Sequence, residues 1–303
     1  MNIVQAANLA CPIDGQRLVL NDKQWGCGNG HVFDVARQGY VNLLAVQHKR
    51  SKYPGDSKAM VLARAQFLNA GFYEPIAETL ADITLAQLEN HNPENNPLEN
   101  SLLENNKKLS VLDAGCGEGY YLDYAFNYLK SYDSHSADDL SFIGLDISKA
   151  AIAVAAKRNK QIAWIVGTNR QPPVEEASVD CILCVFGFQH LEGFKKILKP
   201  GGKVMLVEPG PNHLQEMREI IYSDVKRSGP SDLCEGEQKE FSIVDQRSLQ
   251  FKTGVINNEQ INHLLSMTPH FYRATTAARE AVKAVQAMDL SADIVFRVLA
   301  KSN

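Results

Sequence analysis

Three glycines spaced two apart, Gly115, Gly117 and Gly119, follow the apolar run Val111–Ala114 and precede a stretch that reads as a helix. Glycine there lets the backbone turn sharply and approach a ligand that a Cβ would hold off. Alone the triplet is a weak signal, because many strand-to-helix turns need glycine. Its neighbours carry more. Asp113 precedes the loop, Glu118 sits inside it, and Asp146 closes a second apolar run. A carboxylate in the Asp146 position can accept hydrogen bonds from both hydroxyls of a ribose. The dinucleotide fingerprint G-x-G-x-x-G sets its third glycine one residue later and expects a diphosphate at the helix start. Asp113 and Glu118 would repel a diphosphate, whereas both suit a ligand with a sulfonium and an α-amino group. That chemistry is S-adenosylmethionine. The bland alternative is a structural turn in another kind of α/β protein.

A second cluster lies near the start of the chain, in Cys11-Pro-Ile-Asp14-Gly15 and Cys27-Gly-Asn-Gly-His31. Zinc takes four thiolate, imidazole or carboxylate donors in a tetrahedron, and tight glycine-bearing turns present them in pairs. Asp14 stands where a second cysteine would be expected; a carboxylate ligates zinc but is less selective for it. The alternative is a metal-free knuckle held by Leu18, Trp25 and Phe33. A segment this small buries little core unaided, which favours the metal.

Between Ala36 and Arg64 lie six positive residues (Arg37, Lys49, Arg50, Lys52, Lys58, Arg64) against the single acid Asp56. Cations neutralise phosphates and aromatic faces stack unpaired bases, so Arg37, His48, Lys49, Arg50 and Lys52, with Tyr53 beside them, suit RNA. A charge run is also what an ordinary solvated face looks like.

The elements that must position these residues alternate. Short apolar runs at Leu109–Ala114, Phe142–Asp146, Ile162–Val166, Val179–Phe186 and Lys203–Glu208 predict strands, with helices between them at Ser148–Arg158 and Leu191–Leu198. That order implies βαβ units and a parallel, doubly wound sheet. Asp293–Ala300 reads as a final strand. Ahead of the sheet, Asp56 or Ser57 can cap a helix that Gly71 interrupts, and Pro75 fits the first turn of the next. Four segments follow: a zinc-binding-like module at 1–50, a helical connection at 51–87, an Asn/Glu-rich flexible insert at 88–108, and a domain at 109–303. Cys181 and Cys184 are out of phase on one strand, as core thiols rather than ligands.

The formal charge is −4, so any nucleic-acid surface is a local patch. The longest apolar run, Cys181–Phe188, is too short to span a bilayer, and MNIVQAANLA lacks a basic, cleavable leader pattern. The expectation is a cytoplasmic protein without a membrane partner.

Phe33–Ser51 and Pro54–Ser57 resemble the RlmA family, also called RrmA, of bacterial 23S ribosomal RNA guanine-N1 methyltransferases. The resemblance continues through Asp113–Tyr121, Gly144–Lys149, Lys199–Gly202 and Pro209–His213. The loop Gly167–Pro173 and the turn before Lys203 also fit the layout of a class I methyltransferase. The fold expected is therefore α/β: a class I, Rossmann-like methyltransferase with a small N-terminal zinc-ribbon-like module. The family's zinc ligands carry over to Cys11, Cys27 and His31, with Asp14 in the remaining place. Its cofactor contacts carry over to Tyr73, Gly117, Glu118 and His213, beside the Asp113, Gly115 and Asp146 read from the loop.

The reaction implied is methylation of guanine N1 in a 23S rRNA hairpin, of the guanine-745 type, with S-adenosylmethionine as donor and zinc in the module. A homodimer is the family expectation. N1 carries a proton, and Glu208, His213 and Asp180 are the base candidates, although Asp180 reads equally as a structural carboxylate. Phe186, Phe188 or tyrosines can stack the target base. Two other functions fit the same residues: methylation of a small metabolite, or a non-catalytic RNA-associated protein that keeps its cofactor site.

Overall fold

The computed structural model describes residues 6, 8–45, 47, 54–89, 109–131, 140–227 and 229–302. Strands β1 (Val19–Asn21), β2 (Gln24–Gly26) and β3 (Val32–Asp34) form a small antiparallel sheet. The chain then contributes β4 (Tyr40–Asn42) to the main sheet before helices α1 (Lys58–Asn69) and α2 (Glu74–Glu89). Of the two candidate caps, Ser57 is the one used: its Oγ accepts from the Met60 N–H at the start of α1. Gly71 breaks the two helices apart at φ 85°.

The main body runs β5 (Leu109–Ala114), α3 (Tyr120–Ser131), β6 (Leu140–Asp146), α4 (Lys149–Arg158), β7 (Ala163–Val166), β8 (Val179–Val185), α5 (Leu191–Ile197) and β9 (Leu198–Pro209). It continues with α6 (Gln215–Ile221), α7 (Glu235–Glu240), β10 (Phe241–Asn257), α8 (Asn258–Met267), α9 (His270–Arg273), α10 (Thr276–Ala284) and β11 (Ala287–Lys301). Sheet order is β10-β11-β9-β8-β5-β6-β7-β4, with β11 antiparallel to β9 and β10 and the other pairings parallel. The order reverses between β5 and β8, so a crevice opens at the carboxyl ends of those strands. That is where α/β sheets of this kind bind ligands.

Strands β5, β7 and β8 are buried on both faces, as parallel strands covered on each side must be. Alternation sorts their side chains: Val111 and Cys181 join one core, Leu112 and Cys184 the other. The two thiols therefore belong to opposite faces, in keeping with their reading as core residues.

The N-terminal module shares its core with the main sheet. Leu9, Leu18 and Trp25 pack in one cluster with Leu112, Ile143 and Ile165 of the main sheet, and β4 hydrogen-bonds to β7. The small module thus borrows its core from its neighbour. The last strand begins at Ala287 rather than Asp293 and pairs with β10, which the sequence pattern did not announce. Strand β10 is an edge strand whose residues are mostly exposed and polar, so it lacks the apolar run that marks a buried strand. Of the expected insert, Leu88 and Glu89 complete α2, and 90–108 lie outside the described residues. No described helix is long and apolar enough to cross a membrane.

Candidate functional site

Beyond Ala114 the chain turns through Gly115, Gly117 and Gly119, all at positive φ, before α3 begins. Gly119 is fixed by space as well as by φ: a Cβ there would lie 2.5 Å from the Trp164 ring. Asp146, at the end of β6, anchors the loop from the adjacent strand. One of its oxygens accepts the Gly117 N–H at 2.9 Å, and the other accepts the Ser148 N–H at 2.7 Å. Burial raises its pKa, while those two hydrogen bonds and the positive charge of Arg64 work the other way.

Glu118 faces the crevice and is almost fully buried. Its Oε1 has no hydrogen-bond partner, and the Arg158 guanidinium stays 3.7 Å away. The Tyr121 hydroxyl, also on the crevice wall, is likewise buried and unpartnered. Buried polar atoms are nearly always paired, so a cluster of orphans on a cavity wall marks where a ligand supplies the partners. An α-amino group has donors for Glu118. The residues present therefore fit the amino-acid end of S-adenosylmethionine, and Asp146 fits its ribose. Asp113 differs from expectation. It is buried behind the loop, does not line the cavity, and burial beside Asp146 and Glu118 pushes its pKa far up.

The crevice is large, about 1540 Å³, and continues past the loop along Gly167–Gln171 to an aromatic group. Tyr73, buried at the start of α2, points its hydroxyl at His213 Nε2, 3.4 Å away. His213 Nδ1 accepts the Asp293 N–H at 3.3 Å, which places the imidazole proton on Nε2. Burial brings the His213 pKa down to about 4, so the ring is neutral at physiological pH. Phe186 follows β8 at φ 50°, a left-handed conformation that side chains rarely adopt, and lies stacked on His213 with centroids 6.0 Å apart. Such strained residues cluster at functional sites.

Glu208, at the end of β9, also lines the crevice. Arg297 of β11, itself buried, donates from both Nε and Nη2 to Glu208 Oε2. Among the described residues, Oε1 has no hydrogen-bond partner. Asp180 is corrected as a base candidate. It sits at the amino end of β8, away from the crevice, where its carboxylate accepts the Ser110 N–H at 2.7 Å and two contacts from Lys199. It ties strands together.

The outer rim carries Arg170, Lys226 and Arg273, none in an ion pair among the described residues. Arg170 lies over the exposed ring of Phe188, 5.1 Å from its centroid. Asn169, in the loop Gly167–Pro173 singled out from the sequence, holds the Phe188 carbonyl at 2.9 Å. Sequence reasoning missed Lys226, Arg273 and Arg297. They come together only across long separations, and no local pattern signals them. Of the expected RNA contacts, Arg37 is exposed on the turn before β4, whereas His48, Lys49, Arg50 and Lys52 lie outside the described residues.

At the second site the four predicted donors are brought together. Donor atoms of Cys11, Asp14, Cys27 and His31 all lie within 4.8 Å of one another. His31 Nδ1 is 3.1 Å from Asp14 Oδ2, 3.3 Å from Cys27 Sγ and 3.6 Å from Cys11 Sγ. Tetrahedral zinc with bonds of about 2.0–2.3 Å spaces its donors by about 3.3–3.8 Å, so the group fits the ion. Cys11, Cys27, Asp14 and His31 would hold the ion as two thiolates, a carboxylate and a neutral imidazole, three anionic donors against its double positive charge. The Asn29 amide donates to Asp14 Oδ2 at 3.0 Å and orients that ligand.

Two family descriptions match the chain, one over each of its parts. Residues 9–52 match the family description "RlmA, N-terminal", a zinc ribbon, and residues 111–202 match that of a methyltransferase domain. A Micromonospora griseorubida protein is 30% identical over 69% of this chain and 68% of its own; it carries the provisional name 23S rRNA (guanine-N(1)-)-methyltransferase. A Streptomyces fradiae relative, named 23S rRNA (guanine(748)-N(1))-methyltransferase, is 29% identical over 86% of this chain and 84% of its own. A Bacillus subtilis (strain 168) protein, with the same provisional name as the first, is 26% identical over 88% and 86%.

Proposed function

This chain belongs to the RlmA family of 23S rRNA (guanine-N1)-methyltransferases, and from that premise we propose that it methylates N1 of one guanine in a 23S rRNA hairpin. The observation that carries the reading is the continuity of the crevice. Small-molecule sites are about 300–1,000 Å³. At about 1540 Å³, this one extends from the cofactor loop past Phe186 to a rim that carries Arg170, Lys226 and Arg273. It has room for the donor together with an unstacked base, and its rim suits the phosphates around that base.

S-adenosylmethionine, when bound, supplies a methyl group already activated on a sulfonium, so the protein's work is positioning and proton removal. Asp146, oriented by two backbone N–H groups, holds the ribose; Glu118 and Tyr121 face the α-amino end. Phe186 offers its free face to the guanine while His213 backs the other. Glu208 takes the N1 proton on Oε1, because Arg297 fixes the carboxylate through Oε2 alone. Neutral His213 has Nδ1 occupied by a backbone donor and is a positioning residue. Arg37 adds a phosphate contact on the turn before β4.

Two measurements test this. Tritium from labelled S-adenosylmethionine is expected in 23S rRNA taken from a strain lacking the gene; label that appears only in small molecules would replace the reading with a metabolite enzyme. Glu208→Gln is expected to slow single-turnover transfer by roughly 10²–10⁴-fold. An unchanged rate would remove Glu208 as the base.

A further inference from the structure

The methyl donor's amino-acid end carries an α-carboxylate as well as an amine. The pocket that would receive it holds Asp56, Glu118 and Asp146, with Asp113 behind. An anion entering that field needs a cation. Arg170 lies over Phe188, and Arg218 is bonded to the carbonyls of Pro211, His213 and Lys226. Lys226 and Arg273 belong to the segments after α6 and at the end of α9, on the rim.

Arg64 of α1 is different. Its guanidinium is largely buried, and its Nη1 lies 3.1 Å from where a Cβ on Gly117 would be. Its charge is felt by both Glu118 and Asp146. Nη2 is engaged by Asp56, whereas Nη1 and Nε have no hydrogen-bond partner among the described residues.

The Asp56 contact is itself built in. Gly55, at φ 78°, presses on the residues after Asp146: a Cβ there would lie 2.9 Å from both Ile147 Cγ2 and Ser148 Cβ. Ser148 Oγ donates to the Asp56 carbonyl at 2.8 Å. Pro54–Asp56 is thereby seated on the same loop that presents the ribose carboxylate, and Asp56 aims Arg64 at the glycine turn. With Nη2 held by Asp56, Nη1 is the nitrogen left facing the glycine turn, where it can give a carboxylate a charge-assisted hydrogen bond.

We propose that Arg64 receives the α-carboxylate of the methyl donor through Nη1, with Asp56 as the residue that positions it. The inference rests on the crevice being the S-adenosylmethionine site, and it adds the cation that the acidic loop lacks. It also gives the Pro-Gly-Asp-Ser block a role: it links the segment after the basic stretch to the cofactor.

The test compares two nucleosides by calorimetry on the full chain. S-adenosylhomocysteine has the amino-acid end, and 5′-methylthioadenosine does not. Arg64→Gln is expected to weaken S-adenosylhomocysteine by about 10- to 100-fold and to leave methylthioadenosine within about 3-fold. Arg64→Lys, which keeps the charge without the fork, should fall between. Decarboxylated S-adenosylhomocysteine should bind the unaltered protein at least about 10-fold more weakly than the parent, a comparison that needs no variant to fold. Equal affinity for those two ligands, or equal loss of both nucleosides in Arg64→Gln, would overturn the proposal and leave Arg64 a structural ion pair. An unaltered protein that binds neither nucleoside would instead overturn the cofactor reading beneath it.

Discussion

The four metal donors hang on turns around strands of three residues each, whereas the cofactor acids sit on or beside strands of six and seven residues buried in the main sheet. At the N-terminus, side chains converge on a point, and the local core reaches across to Leu112, Ile143 and Ile165 for company. At the glycine loop the backbone itself is the cradle, fixed by Trp164 packed against Gly119 and by Asp146 holding the Gly117 N–H. The first site is made of side chains alone, on turns with little core of their own. The second is preformed and stores electrostatic cost in its buried acids until a ligand arrives.

Removing zinc breaks that contrast most sharply. Cys27→Ser, or chelation, is expected to lower RNA methylation by about 100-fold, because apparent zinc binding energies in such modules reach about 10 kcal/mol and hold the turns together. S-adenosylhomocysteine affinity should stay within about 3-fold, since no metal donor touches the crevice. Metal content, hydrogen exchange over residues 8–34 and calorimetry would check it together. Loss of cofactor binding alongside the metal would mean the two sites are one cooperative unit.

Gly119→Ala probes the other side. The added methyl meets Trp164 at 2.5 Å, so overpacking of about 1–3 kcal/mol is expected. Thermal unfolding should fall by several degrees, with weaker cofactor binding and intact zinc.

Asp113→Asn sharpens the idea of stored cost. The Asp113 pKa is far above 3.8 in the fold, from burial first and from Asp146 and Glu118 next. As pH rises past 3.8, the unfolded chain releases this proton while the folded chain keeps it, so stability falls with pH through that window. The amide variant escapes the loss. Its ligand-free form should melt higher than the parent at pH 7.5, and the gap should close below pH 4. A gap independent of pH would contradict the argument.

The smallest expected effect concerns His213. Its pKa is lowered from 6.5 to about 4, so stability tied to this group is complete above 6.5 and is lost as pH falls towards 4. Between pH 7 and 9 the ring stays neutral, and His213 should add no limb to the rate profile there. A limb near 6.5 that disappears in His213→Gln would restore it as the base.

Both sites were visible in the sequence to the extent that they are local. The glycine triplet, Asp146, and the pairs Cys11/Asp14 and Cys27/His31 each lie in a few residues whose spacing already implies the turn. Core strands were readable from apolar runs, with errors at their ends. What could not be read was tertiary: Arg297 on Glu208 across 89 positions, Arg64 on the glycine loop, β4 added to the far edge of the sheet, and the polar edge strand β10. No periodicity encodes which charge will meet which. Asp180 shows the same limit in reverse, since its place at the amino end of β8 puts it on Lys199 and away from the crevice.

The central claim is that N1 of a single 23S rRNA guanine receives the methyl group. Primer extension across the hairpin tests it directly, because a methyl on N1 blocks base pairing. Unmethylated rRNA treated with the protein and S-adenosylmethionine should give one new stop, at the guanine-745 type position or at 748, the position in the name of the S. fradiae relative. Full read-through, with S-adenosylhomocysteine still bound by the protein, would contradict the account.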